Sequence, residues 1–216
     1  MTRRPLEKRM NTRPARRGRP RKDPEEIRAR LLSSAATLFN RDGYFGTDSN
    51  KIARAAGIGP ASFYRHFADK KAIFLEAYAL WVDGDWAILE RRSAAPEQDA
   101  SPRARAESVV AAYLRRHRQW SVFRRSMHAL VASDEEARRF HLSIRRNQMR
   151  RLAAMLDAVG APERDREELL RRFLSFERCA NALADGEVAA LGLSEARFEE
   201  ALTREIEAIS PPPSAE

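Results

Sequence analysis

Apolar residues recur at helical spacing along almost the whole chain, interrupted by glycine, proline and capping residues. Asp23-Pro24-Glu25-Glu26 offers an N-cap, a proline at the first helical position and a capping-box glutamate. Behind it Ile27, Leu31, Leu32, Ala35, Leu38 and Phe39 keep the period until Asp42-Gly43 stops it. The pattern then predicts a short helix over about residues 48–56, capped by Thr47, with Ile52 and Ala55 facing inward and Gly57 ending it. Pro60 opens a third short helix carrying Phe63 and Phe67. Asp69 caps a longer fourth, with Ile73, Phe74, Ala77, Tyr78 and Trp81 on one face.

Residues 93–102 read as a loop, and Pro102 starts the next helix. Trp120, Phe123, Met127 and Leu130 follow at helical spacing. Ser133 and Glu136 form a capping box for a helix that buries Phe140, Ile144, Leu152, Met155 and Val159 and ends at Gly160. Pro162 starts another, with Leu169, Phe173, Phe176, Ala180 and Leu183 inward. Gly186 and Gly192 interrupt the chain, Ser194 caps a last helix bearing Phe198, Leu202, Ile206 and Ile209, and Pro211-Pro212-Pro213 forbids its continuation. No repeat and no strand pattern emerges. The predicted fold class is all-α: an arm over 1–22, a three-helix domain over 23–69, a larger helical domain over 70–210, and a tail over 211–216.

Composition agrees, since Ala numbers 36 while Val, Ile and Thr together number 20. Charge adds more. The chain of 216 residues carries a formal net charge of +9. Residues 1–22 hold ten basic side chains against Glu7 alone, so the whole imbalance sits in the arm and the remainder is neutral. A basic arm on a neutral body points to a polyanion, either nucleic acid or an anionic membrane surface. The arm has no apolar face, which disfavours the membrane. No apolar run is long enough to span a bilayer, no secretory signal is visible, and Cys179 is the single cysteine. A cytoplasmic protein without metal or cofactor is expected.

The informative segment is residues 47–70. Two short helices joined by a glycine turn describe a helix-turn-helix. The second helix must enter a major groove about 12 Å wide, so its exposed N-terminal residues should be small or polar. Gly59, Pro60, Ala61 and Ser62 meet that need, while Phe63 and Phe67 lock the helix inward. Thr47, Ser49 and Lys51 suit phosphate contacts beside it, and Lys70 joins its charge to the amides of a helix N-terminus.

These residues resemble the N-terminal domain of the tetracycline-repressor (TetR) family of bacterial regulators. The resemblance runs through residues 29–47, 52–58 and 62–70, with Tyr64, His66, Phe67 and Lys70 at the family's spacing. It implies phosphate contacts from Tyr64, His66, Thr47 and Lys70, with Arg65 beside them and base reading from the start of the recognition helix. It also implies binding to a palindromic operator in double-stranded DNA by a homodimer held through helices 162–185 and 195–209, and a small-molecule effector in the C-terminal domain. Two positions depart from the family pattern. Gly59 stands where Ser is usual, and Asp48 stands where Ser or Thr usually follows Thr47. Asp48 suits a helix N-terminus but repels phosphate.

In the arm, Arg17-Gly18-Arg19-Pro20 looks like the core of an AT-hook, in which Arg17 and Arg19 would enter an A·T minor groove. A merely basic linker giving salt-dependent attraction is the alternative. Tyr113, Trp120, Phe123, Met127, Phe140 and Phe176 fit either a helical core or the wall of an effector cavity, with Asn147 and Asn181 as polar groups to orient a ligand. Arg145-Arg146 and Arg150-Arg151 read as a solvated face or as ion pairs between subunits. No phosphate loop, nucleophile elbow or metal-ligand spacing is present, so an enzyme is not expected. A ligand-responsive regulator is the leading reading, and an architectural DNA-binding protein that uses its basic arm is the alternative.

Overall fold

Capping chemistry sets the helix boundaries in the computed structural model, which describes residues 23–94, 101–158 and 166–209. The helices are α1 (Pro24–Asp42), α2 (Ser49–Ala55), α3 (Pro60–Phe63), α4 (Lys70–Ala94), α5 (Pro102–Gln119), α6 (Ser121–Ser133), α7 (Glu135–Ala158), α8 (Arg166–Ala184), α9 (Glu187–Ala190) and α10 (Glu195–Ile209). No strand occurs among the described residues. The fold is all-α, as the periodicity predicts. The arm, Val159, Gly160, Pro162 and the tail lie outside the described residues, as does most of the 93–102 loop. Ala94 still belongs to α4.

Where the cap is local, the sequence signal and the structure coincide. Asp23 accepts from the Glu25 amide at 3.0 Å, and Asp69 from the Ala72 amide at 2.8 Å. Two expected caps are corrected. Thr47 does not cap α2. Its hydroxyl turns inward and donates to the Gly43 carbonyl at 2.9 Å, while the Asp48 carboxylate accepts from the Lys51 amide at 2.8 Å. Ser133 does not cap α7 either, because it is the last residue of α6 and donates back to the Ala129 carbonyl. Asp134 takes the role, accepting from the Ala137 amide at 2.9 Å. In both pairs an adjacent carboxylate makes the stronger, charge-assisted bond to the free amides. Ala55 also differs from expectation: it is exposed, and Ala53 and Ala56 face inward instead.

The break between α5 and α6 has no glycine or proline to announce it. Trp120 leaves helical geometry at φ −109° and ψ 25°. Asn40 of α1 clamps the break from outside, donating to the Gln119 carbonyl at 2.8 Å and accepting from the Phe123 amide at 3.3 Å. Between Gly186 and Gly192, both in left-handed geometry, the chain forms the single turn of α9 that the sequence reading leaves as an interruption.

One apolar cluster runs from the helix-turn-helix through α4 into α6 and α7. It joins Leu31, Phe39, Ile52, Phe63, Phe74, Tyr78 and Trp81 to Phe123, Met127 and Leu152. A second cluster packs α5 against α8 and α10 through Val110, Leu114, Ala180, Leu183 and Leu202. The three N-terminal helices therefore share a continuous core with the larger domain. Tyr44 donates its amide to the Ser126 hydroxyl at 3.0 Å, which ties the loop after α1 to α6, and Lys71 pairs with Asp134 and Glu136, which ties the start of α4 to that of α7.

Candidate nucleic-acid interface and cavity

The helix-turn-helix is held from behind by α1 and α4. Arg28 of α1 forms a two-pronged ion pair with Glu76 of α4 and lies over the Phe67 ring, 4.5 Å from its centroid. Arg30 donates to the Ala56 carbonyl at the end of α2. The turn follows at Gly57, whose φ of +66° lets the Ile58 amide reach back to the Ala53 carbonyl at 2.9 Å. A Cβ at Gly57 would also sit 2.9 Å from Arg30 Nη2, a side-chain end that can move, so the left-handed φ is what favours glycine there.

Beyond the turn, α3 presents its N-terminus outward. Gly59, Pro60 and Ala61 are exposed, and a Cβ at Gly59 would meet nothing within 4 Å. Phe63 and Phe67 are buried on the opposite side. Tyr64 is 57% exposed, its ring edge resting on Phe63 with centroids 5.3 Å apart. Arg65 is exposed and donates to the Ser62 hydroxyl at 2.7 Å, which orders a guanidinium on the open face. Lys51 is exposed, Ser49 and His66 are half-buried, and exposed Arg54 and Phe45 extend the same stretch. Arg54 and Phe45 were not among the expected contacts. Their exposure depends on which way the α2 helix and the 43–48 loop turn, which periodicity does not specify. The nearby carboxylates Asp48 and Asp69 are occupied at helix N-termini.

Two expected phosphate ligands sit differently. Thr47 is buried with its hydroxyl committed to backbone carbonyls. Lys70 donates to the Tyr44 carbonyl at 2.9 Å and the Thr47 carbonyl at 3.0 Å, and lies over the Tyr44 ring at 4.1 Å. Burial pushes its ammonium below the usual lysine range. These two side chains buckle the loop before α2. Arg17 and Arg19 lie outside the described residues.

Behind this face, the larger domain encloses a cavity of about 200 Å³ among α4, α5, α7, α8 and α10. Trp86, Leu89, Leu152, Met155, Leu169, Phe173 and Phe176 make most of its wall. A chamber of about 30 Å³ shares Trp86, Leu89, Tyr113 and Phe173 with it, and is lined further in by Trp81, Asp85, His117, Arg124, Arg145 and Glu177. Asp85 pairs with Arg116, Arg124 with Asp185, and Arg145 with Glu177. His117 is buried, stacked on Tyr113 at 3.9 Å, with Nδ1 3.0 Å from Asn181 Oδ1. Burial drives the Tyr113 hydroxyl well above the usual phenol range.

Of the aromatic residues expected at a cavity, Tyr113 and Phe176 line this one. Phe123 and Met127 are fully buried in the core, and Phe140 packs against that core. Trp120 instead borders an open groove between α1, α4 and α5 with Leu32 and Leu80. Asn147 is exposed on α7, and Asn181 serves His117. Arg145 and Arg151 form their ion pairs within the chain, Arg151 with Asp83 and Glu90. The charged wall of Asp85, Arg124 and Glu177 escaped the sequence reading. Its only signal is polar residues at inward-facing positions of apolar helices.

Residues 31–77 match the family model described as bacterial regulatory proteins, tetR family. An HTH-type transcriptional regulator from Staphylococcus aureus (strain USA300) is 44% identical over 50 residues, 23% of this chain and 27% of that protein. The chain therefore matches about a quarter of the length of its curated relatives. Among solved structures, a TetR-family transcriptional regulator from Rhodococcus sp. superposes with a TM-score of 0.64 at 20% identity, over 86% of this chain and 98% of the other. Salmonella enterica GusR superposes with a TM-score of 0.63 at 16% identity, over 87% and 96%. At such identities the structural likeness speaks for the fold across both domains, while the sequence match speaks for the helix-turn-helix. Together they identify residues 31–77 as a helix-turn-helix of the tetR type, carried on a fold that these regulators share.

Proposed function

We propose that this chain is a DNA-binding transcriptional regulator that docks α3 in the major groove, works as a homodimer on a palindromic operator, and lets go when a small molecule occupies the cavity. The carrying observation is the α2–α3 face. A bare α3 N-terminus at Gly59–Ala61 is flanked by exposed Lys51, Arg54, Tyr64 and Arg65, with the local carboxylates turned to helix ends. Small residues allow close approach to base edges, and the flanking donors suit phosphates. Ser49, Ser62 and His66 sit within the same face. Thr47 and Lys70 act indirectly, holding the loop from which α2 starts.

For dimerisation through α8 and α10, the support lies in exposed leucines on α8 and in the segment that leads into α10. Leu170 and Leu174 lie one turn apart on α8, and Leu191 and Leu193 follow near α9, all at least 39% exposed. Release requires that ligand binding favour a spacing of the two α3 helices that no longer fits half-sites about 34 Å apart. α4 lines the cavity and carries Lys70 and Glu76 at its other end; α6 carries Arg124 into the chamber and Ser126 onto Tyr44. No described helix is long and apolar enough to cross a membrane.

Selection of bound fragments from genomic DNA by the purified chain tests this reading. Recovery of one inverted repeat, bound far more tightly than random DNA, is the expected result. Recovery of A·T-rich fragments without a shared repeat would contradict it and favour an architectural protein led by its basic arm.

A further inference from the structure

The cavity wall specifies more than size. Its outer part is mostly apolar, and although Arg171, Arg172, Ser175 and Glu205 also border it, Trp86, Leu89, Leu152, Met155 and Phe173 call for a hydrocarbon or aromatic body. The inner chamber is different. Both carboxylates on its wall are occupied, Asp85 by Arg116 and Glu177 by Arg145. Four buried nitrogens on the same wall lack a hydrogen-bond partner among the described residues. Of these, Arg145 Nη1 lies against Glu177 and His117 Nε2 is 3.4 Å from Asp85 Oδ2, which leaves two N–H groups without a nearby carboxylate. Trp81 is 7% exposed and Arg124 is 2% exposed, yet neither Trp81 Nε1 nor Arg124 Nε has a hydrogen-bond partner among the described residues. Arg124 Nη2 is held by Asp185, so the guanidinium is fixed in place while its Nε has no acceptor among the described residues. A buried donor without an acceptor is costly, and a group that supplies one is correspondingly favoured.

We propose that the effector is an apolar molecule ending in an oxygen acceptor, a carboxylate or a carbonyl, whose head group takes hydrogen bonds from Trp81 and Arg124 while its body fills the space between Trp86 and Phe173. The inference rests on the reading that this cavity holds the effector, and it names the class. Cationic amphiphiles are disfavoured in the chamber. Both chamber carboxylates are already paired, and a cation there would approach the Arg124 and Arg145 guanidinium groups. A carboxylate and a neutral carbonyl offer the same acceptor chemistry here, so the test separates them.

Calorimetric titration of the full chain with four matched probes provides it: 3-phenylpropanoic acid, its methyl ester, propylbenzene and 3-phenylpropylamine. The acid or the ester should bind about tenfold or more tightly than propylbenzene, and the amine should bind weakest. Which of the two binds tighter assigns the head group as anionic or neutral. Trp81→Phe keeps an aromatic ring but loses the fused pyrrole with its donor, so it should cut the preference for the acid or ester over propylbenzene roughly fivefold, with the hydrocarbon as the reference for any change in shape. Arg124→Lys, which keeps the charge opposite Asp185 but moves the donor, should do the same if the tryptophan variant folds poorly. Equal affinity for acid, ester and hydrocarbon, tightest binding of the amine, no binding of any probe, or an unchanged preference in both variants would overturn the proposal. The operator selection above is performed without probe, so its outcome stands or falls separately.

Discussion

Phe123→Ala should lower the unfolding free energy by about 3–5 kcal/mol, at the upper end for a core aromatic. The residue is fully buried, and its ring meets Phe74 at 5.3 Å, Trp120 at 5.8 Å, Tyr78 at 5.9 Å, Phe39 at 6.3 Å and Trp81 at 6.4 Å. These partners belong to α1, α4 and the α5–α6 break, so the cavity left behind is walled by three separate segments. Such a wall collapses poorly, which favours the large end of the range. The same ring joins the helix-turn-helix to the cavity-bearing helices, so both should melt in one earlier transition. Urea unfolding followed by helical circular dichroism measures it, with the midpoint falling and the slope holding. A loss under about 1 kcal/mol would show that neighbouring rings refill the space and that the joint is looser than its packing implies.

The second large effect is electrostatic. Asp185→Ala should cost about 3–5 kcal/mol, because it leaves the Arg124 guanidinium buried without its carboxylate. Arg124 is 2% exposed and its pair with Asp185 bridges α6 to the end of α8. Keeping the charge without its partner is the worst arrangement, and removing both should be milder. The double variant Asp185→Ala with Arg124→Met should therefore recover a large share of the loss, since Met fills similar volume without a charge. Thermal unfolding of the two single variants and the double variant measures the coupling. Additive losses would mean that Arg124 finds other compensation in the chamber.

What could be read in advance follows from how far each signal reaches along the chain. Asp23-Pro24, Asp69 and Gly57 act on residues within one turn, and each stands where the periodicity expects it. The choice between Thr47 and Asp48 as cap is already harder. It depends on the Gly43 carbonyl drawing the threonine inward. The break at Trp120 is beyond local reading because its cause is Asn40, far away on α1. The cavity divides the same way. Tyr113 and Phe176 line it while Phe123 and Met127 fill the core, yet all four show the same helical spacing. Spacing says which face of a helix is buried; it does not say whether that face meets another side chain or an empty volume. The polar chamber is set by three ion pairs between residues distant in sequence, so its donors emerge only once the helices are packed.

The claim on which the rest depends is that the α2–α3 face carries DNA. Lys51→Ala, Tyr64→Ala and Arg65→Ala combined remove three exposed side chains from that face without touching the core. The most direct measurement is the affinity of this triple variant for the selected repeat, beside its thermal unfolding. Affinity should fall on the order of a hundredfold, at about 1 kcal/mol per contact, with the unfolding temperature unchanged. Undiminished affinity in a fully folded variant would contradict the account and move the DNA contact elsewhere on the chain.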